Sequence, residues 1–239
     1  MSRSLAPNQY ANEEIPSNCG YSSGYRNPIE ISTQIDILRS RWPSLNPDPA
    51  LRYMREIYQT LQLPDWVEGP FALIRPGFFS NIYGEELEEV LKAMAKSSDD
   101  FRNYRKGQLG PKYLRQSERT LSKLRTLMER QPGSDILISV AQFGIRHHGR
   151  SVRRAREVFV AGEYGGGAKN VGTMLLTNRV RLLHYDDLWL DCPGDEYSDA
   201  GDGRFGFAPV FLLALPEFTA RWVGSANESC GSVSAFLPQ

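Results

Sequence analysis

Residues 207–239 read FAPVFLLALPEFTARWVGSANESCGSVSAFLPQ, and their pattern decides what kind of fold this is. Two apolar runs, VFLLAL at 210–215 and FTARWVG at 218–224, flank the turn Pro216-Glu217. A third, VSAF at 233–236, follows the loop 225–230. Short runs of β-favouring residues separated by turn residues predict antiparallel strands at 211–215, 219–223 and 233–236. Successive side chains along a strand point to opposite faces. Phe211, Leu213, Phe218 and Trp222 are then expected as inward anchors. Val210, Leu212, Thr219 and Arg221 are expected to face outward with the loop residues Ser225, Asn227, Glu228, Ser229 and Cys230. Exposed Val and Leu in that company would form a partner-binding patch. The alternative is a strand buried on both faces. Periodicity alone leaves both open.

Working back toward the N-terminus, 135–141 (DILISVA) predicts a buried strand and 71–74 (FALI), between Pro70 and Pro76, a short one. Helices are predicted from Ile31, Ile35, Leu38 and Trp42, and from Asp48-Pro49 onward through Leu51, Met54, Ile57 and Leu61. Others are predicted over 85–96 and from Gly110-Pro111 through Leu114, Leu121, Leu124 and Met128. The expected fold class is α+β, with a polar flexible arm at 1–28, a helical region at 29–134 and a strand-rich domain at 135–239. The strand 71–74 is allowed to belong to that last domain. The boundary is placed near Gln131-Pro132-Gly133.

Composition narrows the function. The chain has 239 residues, with 28 Lys+Arg against 28 Asp+Glu and three cysteines. That length supports one large or two small cores. Neutral net charge disfavours a protein built to coat nucleic acid. No run of 18 apolar residues is present, so no membrane span is expected. The start, MSRSLAPNQYANEEIPS, lacks an apolar leader core, so synthesis in the cytoplasm without a signal peptide is expected, with surface display left open. Cys19, Cys192 and Cys230 are too few and too scattered for a disulfide framework.

Several local patterns fail as catalytic motifs. The G-x-S-x-G letters at Gly20, Ser22 and Gly24 lack the flanking strand and helix of a nucleophile elbow. At 162–169 (GEYGGGAK), Ala168 separates the last glycine from Lys169, so the phosphate-loop spacing fails. These glycines are expected to permit a tight turn or close backbone packing. His147 and His148 are adjacent, so they project in different directions, and no Cys or third His lies nearby, which argues against a metal site.

Charge is segregated along the chain. Five arginines fall in 145–156 (Arg146, Arg150, Arg153, Arg154 and Arg156), and seven acids with no base fall in 186–202. Those acids are Asp186, Asp187, Asp191, Asp195, Glu196, Asp199 and Asp202. The expected use is mutual ion pairing within a scaffold to which Arg150, Arg153, Arg154, Asp187, Asp191, Asp195, Glu196 and Trp222 belong. An irregular calcium site among the acids is the sharper alternative; the EF-hand spacing fails, because Ser198 and Ala200 stand where ligands belong.

A resemblance joins these segments. The runs at 150–159 (RSVRRAREVF), 174–177 (MLLT), 185–197 (YDDLWLDCPGDEY) and 231–239 (GSVSAFLPQ) resemble variable proteins of diversity-generating retroelements, of the type frequent in small-genome candidate-phylum bacteria. The likeness reaches back through 104–115 (YRKGQLGPKYLR) and spans about residues 70–239. It implies a C-type-lectin-like fold related to formylglycine-generating enzymes. It also implies a ligand surface whose codons, at about 207–235, are rewritten by an error-prone reverse transcriptase. Val210, Leu212, Thr219, Arg221, Ser225, Asn227, Ser229 and Cys230 fall where that family varies, and Glu228 lies among them. The chain departs from the pattern at the short turn Pro216-Glu217, at Ala235, and at Asn178-Arg179-Val180.

The resulting expectation is a non-enzymatic receptor-type protein, without a cofactor, that recognises a macromolecular partner, expected to be a protein. Two rivals come from other classes. One is a formylglycine-generating-enzyme-like oxidase using Cys192 and Cys230, which needs their Cα atoms within about 7 Å. The other is nucleic-acid binding by the arginines of 146–156.

Overall fold

A computed structural model describes residues 8–213 and 216–238. Ala214 and Leu215 of the expected strand 211–215, the first seven residues of the arm, and Gln239 lie outside the described residues. The helices are α1 (Ile31–Arg41), α2 (Asp48–Glu56), α3 (Tyr83–Ser97), α4 (Glu118–Arg130), α5 (Val152–Val158) and α6 (Ala168–Thr177). The helix expected from Gly110-Pro111 starts later than predicted. Leu114 opens a strand, β3 (Leu114–Gln116), and α4 begins only after Ser117, whose side chain accepts a hydrogen bond from the Thr120 backbone N–H. That cap satisfies one of the open donors of the first turn, and the residues before it pair with a strand far along the chain.

Two sheets carry the rest. In the first, β1 (Gly69–Ile74), β4 (Ile136–Gln142), β11 (Ser234–Phe236) and β5 (Glu163–Gly165) run in the order β1-β4-β11-β5, all antiparallel. Every residue of β4 is buried, because both faces of this sheet are covered. Alternation sorts the side chains between two cores. Ala72, Ile74, Ile136 and Ile138 pack with Ile35 and Leu38 of α1 and Ala50 of α2. Phe71, Leu73, Leu137 and Ala141 join the main core with Leu87 and Val90 of α3 and Val171 and Leu175 of α6. The strand 71–74 thus pairs along its whole length with residues beyond Gln131-Pro132-Gly133, so the sheet crosses the expected boundary.

The second sheet runs β10 (Cys230–Ser232), β6 (Trp189–Asp191), β8 (Phe207–Leu212), β7 (Asp195–Tyr197), β3, with β9 (Glu217–Trp222) on the other edge of β8 and β2 (Arg102–Asn103) beyond it. Most pairs are antiparallel; β10–β6 and β2–β9 are short parallel pairs. The fold is therefore mixed α+β with mainly antiparallel sheets.

The sheets meet where glycines let backbones touch. A Cβ on Gly165 would lie 2.4 Å from the Gly194 nitrogen, and one on Gly194 would lie 2.4 Å from the Gly165 oxygen. Any side chain there would force the two segments apart. The run 165–167 serves close packing, as its glycines predict.

The arm expected to be flexible is docked over its described part, 8–28. Tyr25 is buried, and the Tyr21 and Tyr25 hydroxyls donate to Glu68. Ile15 N–H donates to the Gly149 carbonyl at 3.0 Å, and Glu13 and Glu14 meet arginines of α5 and the turn before it. Low hydrophobicity predicts disorder when a segment must bury apolar area to stay put. This segment is instead held by hydrogen bonds and ion pairs.

Candidate ligand-binding surface

The β8–β9 hairpin has the register Phe211↔Phe218, Val210↔Thr219, Ala208↔Arg221 and Phe207↔Trp222. Phe211 and Phe218 are buried with ring centroids 5.0 Å apart, and Leu213 is buried beyond them. These three expected anchors face the core. Trp222, also expected inward, does not: it is 48% exposed. It shares the parity of Phe218 but lies past the end of the core, edge-on to Phe207 and above Gly206, where a Cβ would meet its ring at 2.5 Å.

The expected outward positions divide. Val210 is 1% exposed and Cys230 is buried, so neither offers its side chain to a partner. The reason is tertiary: Val210 sits mid-sheet, between Asp191 of β6 and Thr219 of β9, and Val152 of α5 packs on neighbouring Ala208 and Val223. Cys230 begins β10, inside the second sheet. Leu212, Thr219, Asn227 and Ser229 are half-buried, and Ser225 and Glu228 are exposed.

Arg221 is half-buried and turned inward. Its Nη1 lies 3.5 and 3.3 Å from the two carboxylate oxygens of Asp191, and its Nη2 donates to the Ser225 carbonyl. Burial pushes the Asp191 carboxyl up to about 6 despite Arg221, and Arg156 also acts on it. The loop is closed by Asn227, whose side-chain oxygen accepts from the Ser229 N–H at 2.8 Å.

The arginine segment and the acidic segment do not pair with each other as expected. Arg150, Arg153 and Arg154 sit at i, i+3 and i+4, which puts them on one side of a helical turn, and that side faces the arm. Arg150 pairs with Glu14 at 2.7 Å, Arg153 Nε donates to Glu13 at 2.7 Å, and Arg154 meets Glu14 at 3.2 Å and Glu157 at 2.9 Å. These contacts hold the Glu13 and Glu14 carboxyls below the usual range, with the hydrogen bonds from Arg153 and Arg150 the largest causes. Arg146 pairs with buried Glu163 at 3.0 Å and lies over the Trp66 ring. Only Arg156 reaches the acidic segment, through the carbonyls of Pro193 and Asp195 at 2.9 and 2.6 Å.

The acids find other partners. Asp187 pairs with Arg181, both fully buried; Glu196 pairs with Arg115 at 2.7 Å and Asp199 with Arg105 at 2.6 Å. Asp195 accepts from the Tyr83 hydroxyl at 2.7 Å and from the Ala168 N–H at 2.7 Å, at the start of α6. Burial pushes it to about 7 against those hydrogen bonds. The expected acids are thus distributed among separate partners. Among the described residues, no group of three or more His, Cys, Asp or Glu is placed to hold a metal ion.

The two thiols of the oxidase reading are not opposite one another. Cys230 aligns with Trp189 across the parallel β10–β6 pair, which places Cys192 three residues out of register. That is about 10 Å along the strands, beyond the about 7 Å over which a disulfide closes. Both are free thiols, and burial pushes both well above the usual cysteine range.

Sequence reasoning missed the contribution of Tyr10 to this surface, and it counted Arg153 as scaffold paired with the acidic segment. The Arg153 guanidinium lies 4.5 Å from the Tyr10 ring centroid and 6.0 Å from that of Trp222. The i, i+3, i+4 spacing of the arginines signals a shared face but not what covers it. Compared with protein-family models, curated proteins and solved structures, the chain finds no match.

Proposed function

We propose that this is a non-enzymatic ligand-binding protein that presents a retroelement-diversified surface on a C-type-lectin-like scaffold, with a protein as its partner. The supporting observation is the division of residues in 207–235 between core and solvent. Phe211, Leu213 and Phe218 bury their side chains, while Leu212, Thr219, Ser225, Asn227, Glu228 and Ser229 reach solvent on the same segment. The solvent-facing set can change without opening the core. A surface rewritten in this way suits binding by a few side chains better than catalysis, which needs reacting groups held to a fraction of an ångström.

The geometry trims the expected contact set. Val210 and Cys230 leave it because they are buried, and Arg221 leaves it because Asp191 depends on it. Trp222 joins it as an exposed aromatic of the kind enriched at binding hot spots. Among the described residues no helix is long and apolar enough to cross a membrane.

The test is genomic and direct. The same gene is sequenced from many cells of one population, together with its flanking DNA. The proposal expects substitutions concentrated at Leu212, Thr219, Ser225, Asn227, Glu228 and Ser229, a neighbouring reverse transcriptase, and a near-copy of the 3′ coding segment differing chiefly at adenines. An invariant segment with neither neighbour overturns it.

A further inference from the structure

We infer that the arm residues 13–17 are a fixed buttress that sets the shape of the loop 224–230 while leaving its side chains free to change. The inference deepens the proposed binding function and rests on that reading for its biological purpose, though its geometry stands by itself.

The arm, the turn 148–151 and the start of β10 form three adjacent layers. Glu14 bridges Arg150 in antiparallel fashion, and His148 bridges Gly231 in the same way. Ile15 N–H donates to the Gly149 carbonyl at 3.0 Å, and Ser151 N–H donates to the Glu13 carbonyl at 3.0 Å. The Ser151 hydroxyl donates to the Glu13 carboxylate at 2.6 Å. The arm is thereby tied to the turn by backbone and side chain together.

What reaches the loop from this layer and from β6 is addressed mainly to main-chain oxygens; the side-chain exception is Cys19 of the arm, whose Sγ lies 3.9 Å from the Ser229 hydroxyl. Arg153 N–H donates to the Val223 carbonyl at 3.1 Å, and Gly149 N–H donates to the Cys230 carbonyl at 3.0 Å. Trp189 N–H donates to the Ser229 carbonyl at 2.8 Å. The Ser17 hydroxyl donates to the Glu228 carbonyl, and it is the arm's own hydrogen bond to the loop backbone. His148 Nε2 lies 3.2 Å from the Ser17 carbonyl and steadies that residue from behind. The Arg153 guanidinium, held by Glu13, closes over Gly224, where a Cβ would lie 2.8 Å from its Nη2.

Every residue type carries a carbonyl oxygen, so contacts to carbonyls survive exchange of the side chains they sit beside. The donors at Ser17, Gly149, Arg153 and Trp189 lie outside the solvent-facing set. Ser17 is in this sense a positioning residue: it holds the loop backbone and makes no claim on the loop's identity.

Amide hydrogen exchange on the full-length chain tests this without a ligand. Ser17→Ala should speed exchange in 224–230 roughly tenfold, the size expected for losing one hydrogen bond, while 168–177 in α6 stays unchanged. Glu13→Gln, which weakens the hold on Arg153, should act in the same direction at 223–225. Ser17→Thr should restore protection because it keeps the hydroxyl. Replacing Ser225 by Arg and Glu228 by Ser together should leave exchange in 224–230 within about twofold. The inference is overturned if Ser17→Ala leaves the loop unchanged or loosens α6 equally. It is also overturned if the double loop variant exchanges as fast as Ser17→Ala. An invariant gene segment would remove the diversification reading and leave this result standing, so the two fail separately.

Discussion

Replacing Arg221 by alanine measures how much of the recognition surface is free to change. Arg221 sits where the family resemblance expects a variable residue, yet its guanidinium faces Asp191, whose side chain has no solvent exposure. Asp191 is held at about 6, above its ordinary 3.8, with burial the dominant cause and Arg221 the strongest opposing one. Removing Arg221 therefore moves the carboxyl further up. A raised carboxyl favours the fold when protonated, so this group's contribution grows as pH falls through the folded value. At pH 7.5 the variant carries an extra cost of about 1.4 kcal/mol for each unit its Asp191 rises above the wild-type value. That cost is capped near 2 kcal/mol, because beyond it the carboxyl takes up a proton instead. Losing the hydrogen bond to the Ser225 carbonyl adds about 1 kcal/mol. The expected loss is about 3 kcal/mol at pH 7.5, shrinking to about 1 kcal/mol at pH 5, where both proteins carry a neutral Asp191. Urea unfolding at the two pH values measures it, with Arg221→Leu as a control that keeps an apolar stem. A loss below about 0.5 kcal/mol at pH 7.5, or one equal at both pH values, would show that Asp191 does not depend on Arg221.

Three further outcomes follow from the same geometry. Asp195 is fully buried and raised to about 7 from 3.8, so lowering pH from 8 to 5 should stabilise the wild type relative to Asp195→Asn by about 2–3 kcal/mol; a flat difference in denaturation experiments would contradict the assignment. Gly194→Ala places a Cβ 2.4 Å from the Gly165 oxygen and 2.5 Å from the Gly167 nitrogen. Both are backbone, so a loss of about 2–3 kcal/mol or more is expected, and a wild-type melting temperature would rule the close approach out. Phe218→Ala should cost about 3–5 kcal/mol as a core truncation, whereas Trp222→Ala should cost less than about 1.5 kcal/mol because half its ring is in solvent. Equal losses in thermal melts would refute the division between anchor and surface aromatic.

Much of the architecture is legible in the residue pattern alone. The largely apolar run at 135–141 reads as a buried strand, and the strand found at Ile136–Gln142 is covered on both faces. The heptad-like spacing of Leu87, Val90, Leu91 and Met94 reads as α3, whose buried side carries those four residues. The glycines at 165–167 read as close packing, and Phe211 and Phe218 as anchors. The helix expected from Gly110 is misplaced at its start because Leu114 fits the helical stripe as well as it fits a strand. Pairing with Tyr197, more than 80 residues away, decides the matter.

The candidate surface is legible in parity and not in exposure. Alternation says which side chains share a side of β8 and β9; it cannot say which side another segment covers. Val152 of α5 covers Ala208, Val210 and Cys230 lie inside the second sheet, and the hairpin outruns the core at Trp222, so two expected surface residues are buried and one expected anchor is exposed. Charge behaves alike. Composition shows 28 bases balanced by 28 acids, and the chain shows where each sign concentrates. Pairing depends on distances that only packing sets: the arginines of 150–154 meet the arm's glutamates, and Asp191 meets Arg221. Local pattern follows from bonds and dihedrals between near neighbours, so it is carried by the order of residues. Which groups are sheltered from water, and which charges come close enough to pair, depends on long-range closure of the chain, and that is decided only when the sheets and the arm come together.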